Sequence, residues 1–197
     1  MSPEAAFDSL AIIARLEPTI GGVLPSEVHL FAYLACLLSL YSGKPVSDWG
    51  YSFAGTTEGS PFGASVQEAL TALRSSGDLV EHTTGLGLSN SGRQEYELLR
   101  DLHRNSAREE FIAGGCSSAL ALPVPLVRTA IQKEPALRRV TTLASARPLL
   151  ERVDVDALHE QFNALASVVG TEIRDVMVPA IAWLSYLVRV AATDSRS

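Results

Sequence analysis

Apolar residues in this chain recur mostly at helical spacing, and in one place they fall into two short runs either side of a turn. Within residues 60–92, Val66, Ala69, Leu70 and Leu73 lie at i, i+3, i+4 and i+7. That spacing predicts a helix over Ser65–Ser75 with one apolar face. Ser65 followed by Glu68 reads as a capping-box pair at its start, and Gly77 is placed to end it. Leu79-Val80 and Leu86–Leu88 flank a turn at Thr84-Gly85 and predict a tight hairpin. The following helix starts at Ser89 or Ser91 and runs to about His103, with Tyr96, Leu99 and Leu102 on its core face.

Ahead of this stretch, residues 4–16 predict a short amphipathic helix carrying Phe7, Leu10, Ala11 and Ala14 on one face, with Ile13 beside them. Pro18, Gly21-Gly22 and Pro25 end it and form a linker. Ser26-Glu27 then caps a strongly apolar helix to about Tyr41, broken by Gly43-Lys44-Pro45. Val46–Trp49 predicts a single helical turn, and Ser52–Ser60 a loop. Beyond His103 nearly everything reads as helix. The segments are 106–122, weakened by Gly114-Gly115, then 125–133 after the Pro123-Val124-Pro125 connector, and 136–145. Arg147-Pro148 opens a further short segment, with Pro148 acceptable in a first helical turn. Asp154 or Asp156 caps a helix to Val169 that Gly170 stops, and Thr171 to about Ala192 forms the last helix, with a loose tail from Thr193.

Composition places this pattern in a packed globular chain: 47% of its 197 residues are hydrophobic and 19% charged. The net charge of −6 is unevenly spread. Residues 1–100 hold 5 Lys/Arg against 11 Asp/Glu, and residues 101–197 hold 11 of each. The hairpin therefore lies in the acidic half, which argues against a nucleic-acid binder working by bulk electrostatics. Between Arg104 and Arg152 the sign reverses, with eight Lys/Arg against four Asp/Glu, including Arg138 and Arg139. This stretch reads as facing an acidic partner or the acidic half of a second copy, or as an ordinary solvated face; direct phosphate contact is the least favoured reading, because no aromatic residues interleave with the arginines.

Candidate chemistry is sparse. Cys36 and Cys116 have no second cysteine or histidine at ligand spacing and read as buried, reduced thiols of a cytoplasmic protein. His29, His82, His103 and His159 are scattered, so no metal site is expected. No phosphate loop, dinucleotide fingerprint or nucleophile elbow is present, and neither a cofactor nor an enzyme activity is expected. The amino terminus lacks a basic segment followed by a long apolar run, so no signal peptide is expected. The apolar runs His29–Tyr41 and Val176–Val188 are shorter than the roughly 20 residues a membrane span needs.

Two surfaces stand out as candidates. The Ser65–Ser75 helix directs Gln67, Glu68, Thr71 and Arg74 outward, and Arg93 lies just beyond the hairpin. A base-reading helix usually brings more cations and amides than this. In the last helix Val176, Met177, Ile181, Trp183, Leu184, Tyr186, Leu187, Val188 and Val190 cover nearly the whole circumference. Such a helix is buried on all sides, either inside its own bundle or in part by another chain. In the second case Trp183, Tyr186 and Leu187 are interface candidates.

An apolar helix, then Pro61-Phe62-Gly63, Ser65-Val66-Gln67-Glu68-Ala69-Leu70, Leu73-Arg74-Ser75-Ser76-Gly77-Asp78-Leu79-Val80-Glu81 and Leu86-Gly87-Leu88-Ser89-Asn90-Ser91-Gly92-Arg93 resembles a bacterial winged helix over residues 28–102. The fold expected is mainly α: an N-terminal helix and linker (1–25), a winged helix-turn-helix core with a small hairpin wing (26–104), and a C-terminal helical extension packed on it (105–197). In that reading Val46–Trp49 takes the place of the second helix and Ser65–Ser75 that of the recognition helix. A winged helix with an all-helical extension is also similar to the small middle components of bacterial three-component ABC/SMC-type ATPase defence systems. Leu122–Arg128 and Gln132–Leu137 carry that likeness. It implies an adaptor without chemistry of its own, bound to a larger ATPase or nuclease subunit or to itself. The alternative is a transcription regulator that reads DNA through residues 60–93 and dimerises or senses a ligand through its C-terminal helices. Gln67, Thr71, Arg74, Arg93, Arg138 and Arg139 are the candidate contacts to DNA or partner.

Overall fold

Apolar residues occupy most positions of Pro25–Tyr41, and the helix they form is buried continuously from Glu27 to Leu40. In the computed structural model, which describes residues 2–169 and 176–194, this helix is the hub of the molecule. The expected stop at Gly170, the start of the last helix at Thr171 and the tail beyond Asp194 lie outside the described residues.

The hub, α2, follows α1 (Pro3–Ile20), which starts on a Ser2 cap that accepts from the Ala5 N–H. Helix α1 is longer than the expected 4–16 because Pro18 sits in its last turn, and the left-handed Gly21, whose N–H bonds to the Glu17 carbonyl, ends it. The start of α2 is capped by Glu27, whose carboxylate accepts from the Leu24 N–H at 2.8 Å, and not by Ser26. A helical turn at Val46–Trp49 leads into β1 (Ala54–Gly55) and β2 (Pro61–Phe62). The expected loop over Ser52–Ser60 thus holds the central strand of a small antiparallel sheet. Its third strand is β5 (Arg147–Pro148), in the order β2-β1-β5. Pro148 is therefore extended and not in a helix, and Ala54 pairs with both Phe62 and Pro148.

Helix α3 (Ala64–Ser75) begins one residue before the expected cap. Its cap is Gly63, without a side-chain bond, because β2 runs straight into the helix and the Gly63 N–H is taken by His29 Nδ1 at 3.2 Å. The end of α3 follows the sequence reading. Gly77 is left-handed at φ 82°. The Asp78 N–H bonds to the Leu73 carbonyl and the Gly77 N–H to that of Arg74, the paired bonds of a Schellman cap. Strands β3 (Leu79–His82) and β4 (Gly85–Leu88) form the hairpin, and Val23 bridges Leu86 on the far side of β4. Helix α4 (Asn90–Arg100) is capped by Ser89, which accepts from the Gly92 N–H. It stops before Leu102, which is 41% exposed and not on a core face as expected. A Cβ at Gly92 would lie 2.1 Å from the Asp78 carbonyl oxygen. Gly92→Ala should therefore push α4 off the hairpin and lower the unfolding free energy by about 1–3 kcal/mol, measured by urea titration. An unchanged midpoint would refute that contact.

The second half is helical: α5 (Ser106–Ala121), α6 (Val124–Ile131), α7 (Pro135–Leu143), α8 (Arg152–Val169) and α9 (Met177–Asp194). The last helix runs past Thr193, where a loose tail was expected. The Gly114-Gly115 pair leaves α5 unbroken and lets neighbours close in. A Cβ at Gly114 would meet Val176 at 2.4 Å, and Gly115 faces Leu34 of α2. The chain is mainly helical with two small antiparallel sheets, and α1, α3, α5 and α8 all pack on α2. Among the described residues no single helix is long and apolar enough to cross a membrane.

Candidate functional site

Helix α3 presents Ala64, Glu68, Thr71 and Ser75 on its exposed side, while Val66, Ala69, Leu70 and Leu73 are buried. Gln67 turns inward, against expectation: its Oε1 lies 3.4 Å from His29 Nε2. Because His29 Nδ1 already accepts from Gly63, the ring proton sits on Nε2 and Gln67 receives it. Burial lowers the His29 pKa, which fits a neutral ring tied between two elements. The Thr71 hydroxyl donates to the Gln67 carbonyl. Arg74 pairs with Glu81 of β3 at 3.3 Å, and Arg93 with Glu17 of α1 at 2.9 Å. The same Glu17 carboxylate also accepts from the Leu88 N–H. Both cations beside α3 are thus held by carboxylates of the chain itself.

The basic stretch between Arg104 and Arg152 is also largely absorbed internally. Arg108 of α5 reaches Asp8 of α1 through two nitrogens, and Asp8 also accepts from the Tyr51 hydroxyl. The Arg108 guanidinium lies 3.8 Å over the Trp49 ring. Burial pushes the Asp8 carboxyl up, while Arg108 and Tyr51 draw it back down. Arg139 sits 2.8 Å from both Glu151 and Asp154, and Arg147 is 3.2 Å from Glu151. Arg138 is exposed on α7. Asp154 and Asp156 do not form a carboxylate pair. Asp154 is buried and accepts from the Glu151 N–H at the start of α8, while Asp156 is exposed.

Of the three interface candidates on α9, Trp183 and Leu187 are buried within the chain. Trp183 stacks edge-on against Phe162 of α8 at 5.2 Å, and its Nε1–H donates to Gln161. Phe162 in turn meets Tyr41 of α2 at 5.5 Å, tying the α8–α9 pair to the hub. Tyr186 alone of the three is exposed, at 53%. It borders an apolar cleft of about 500 Å³ between α8 and α9, walled by Ala164, Leu165, Val168 and Ala182 and floored by Trp183. Val168 on this cleft is 84% exposed, the most exposed large apolar residue among those described.

Several buried polar groups escaped the sequence reading. Glu134 caps α7, accepting from the Ala136 and Leu137 N–H groups at 2.8 and 2.6 Å, and from the Tyr33 hydroxyl at 2.9 Å. Burial raises its carboxyl to about 7 against the pull of those donors. Glu109 joins Arg15 of α1 to Tyr96 of α4. The only sequence hint was an acid or base inside an apolar helical run, such as Asp8 between Phe7 and Leu10. Cys36 and Cys116 are buried thiols whose pKa values burial pushes up. Among the described residues no three His, Cys, Asp or Glu side chains converge as a metal site. No protein-family model, curated protein or solved structure matches the chain.

Proposed function

We propose that this chain is a cytoplasmic, non-enzymatic winged-helix adaptor that assembles with a larger protein subunit, in the manner expected of a small component of an ABC/SMC-type ATPase assembly. Supporting the winged-helix reading is the order α1, Val23, α2, α3, β3 and β4, with Val23 and β3 on opposite sides of β4. This order shifts the roles expected from sequence: α1 and α2 become the first two helices, and the turn at Val46–Trp49 belongs to an insertion before α3. The observation that carries the adaptor reading is the commitment of Arg74 and Arg93 to Glu81 and Glu17. A duplex-reading surface grips phosphates with available cations, and each phosphate contact adds to the salt dependence of binding. The most exposed of the large apolar side chains among the described residues, Val168, lies with Tyr186 at the α8–α9 cleft, where a protein partner gains from burying them.

The test is affinity capture of the tagged chain from its own cytoplasm, with and without nuclease, alongside titration with duplex DNA at low salt. A stoichiometric protein partner that survives nuclease, together with no salt-dependent DNA binding, is the expected result. Arg74→Glu combined with Arg93→Glu should leave that capture unchanged and cost under about 1 kcal/mol in stability, because both pairs are partly exposed. A homodimer that co-purifies only with nuclease-sensitive material, and loses DNA in this double variant, would replace the adaptor by a DNA-binding regulator.

A further inference from the structure

Four exposed positions of α8 follow one another at i, i+4 spacing along one ridge: Asp156, Glu160, Ala164 and Val168. The ridge is acidic at its first two positions and apolar at its last two, and Glu160, Ala164 and Val168 line the α8–α9 cleft. Among the described residues neither the Asp156 nor the Glu160 carboxylate has a hydrogen-bond or ion-pair partner. The basic residues described on these two helices, Arg152, His159 and Arg189, pair with neither acid. By contrast Asp154, on the buried side of α8, is held by Arg139. The walls of the cleft also decide the form of an occupant. Backbone N–H and C=O groups along it are bonded within α8 and α9, so an extended segment laid there finds no strand edge and leaves its own peptide groups unpaired. A helix arrives with its peptide groups already paired and presents apolar side chains at i and i+4.

We propose that the α8–α9 cleft takes a basic amphipathic helix of the partner subunit, which seats large apolar side chains over Trp183 and, a turn or two away, sets Lys or Arg against Glu160 and Asp156. The inference rests on the adaptor reading and deepens it by naming the kind of segment bound. Burial of Val168, Tyr186 and the cleft floor supplies the attraction at the centre of the contact. The two open carboxylates at its edge select the sign of the occupant, since an acidic helix laid on the same ridge meets like charge. This surface is the electrostatic opposite of the α3 side, where the cations Arg74 and Arg93 already have carboxylates of their own chain.

Two measurements on the full tagged chain in its own cytoplasm test this. Val168→benzoylphenylalanine, irradiated there, should join to a peptide of the captured partner whose apolar residues recur at helical spacing and whose Lys and Arg outnumber its Asp and Glu. Asp156→Lys combined with Glu160→Lys, both at exposed positions, should weaken capture of that partner by about tenfold or more at low salt. The gap between this variant and the unmodified chain should narrow as salt is raised, because exposed charges are screened. Full capture by the charge-reversed chain would overturn the inference and leave the adaptor standing. So would a join to an acidic segment or to a second copy of this chain, or a captured partner that Val168→benzoylphenylalanine never joins. With no protein partner captured by the unmodified chain, the adaptor reading and this inference fall together.

Discussion

Replacing Asp8 by alanine should cost about 3–5 kcal/mol of stability, read as a shift of the urea midpoint at unchanged slope. The loss arises less from the missing ion pair than from what remains. Arg108 would be left as a buried guanidinium over Trp49, and the Tyr51 hydroxyl would lose its acceptor. Taking both charges out together is the informative control. Asp8→Leu with Arg108→Met should recover most of the loss, because a buried pair swapped for well-packed apolar groups is often near neutral. A double variant as unstable as the single would mean that packing at α1–α5, and not the orphaned charge, sets the cost. Arg100→Ala, which breaks an exposed pair with Asp101, should leave the urea midpoint unchanged.

On α9 two neighbouring aromatic residues should separate stability from assembly. Trp183→Ala should lower the unfolding free energy by about 3–5 kcal/mol, because it empties the floor of the α8–α9 cleft and removes the ring that Phe162 packs on. Tyr186→Ala should move it by no more than about 1 kcal/mol, since that side chain is already half in water. In the adaptor reading the order reverses for assembly: Tyr186→Ala, folded normally by thermal melt, should weaken partner capture at least tenfold. A Tyr186→Ala protein that captures its partner at full affinity would remove the α8–α9 cleft from the interface.

What could be read from sequence follows the range of the forces involved. The Gly77 stop, the Ser89 cap and the hairpin were legible because each depends on residues within one or two turns. The buried course of α2 was legible because apolar residues fill it without a break. The β1–β5 pairing was not. Two-residue strands carry no periodicity, and Arg147 meets Gly55 only after the chain has run through the hairpin and the helices α3 to α7. Local rules also misled at Ser65, where the pattern of a capping box was present but β2 and His29 had already fixed the entry to the helix at Gly63. The candidate surfaces fared similarly. The exposure of Glu68 and Thr71 on α3 could be anticipated, whereas the His29 that draws Gln67 inward and the acids that neutralise Arg74, Arg93 and Arg108 come from other elements. Asp8 and Arg108 lie 100 residues apart, and nothing in either neighbourhood names the other.

The arrangement around α2 also sets an order of events during synthesis of the chain. Its apolar surface emerges from the ribosome long before α5, which covers one side of it, and α8 comes later still. At about 5–20 residues per second, the delay between finishing α2 and finishing α5 is roughly 4–16 s. For that interval the hub has only α1, and later α3, packed on it. A nascent chain of this protein thus carries its apolar hub incompletely covered up to the moment α5 docks.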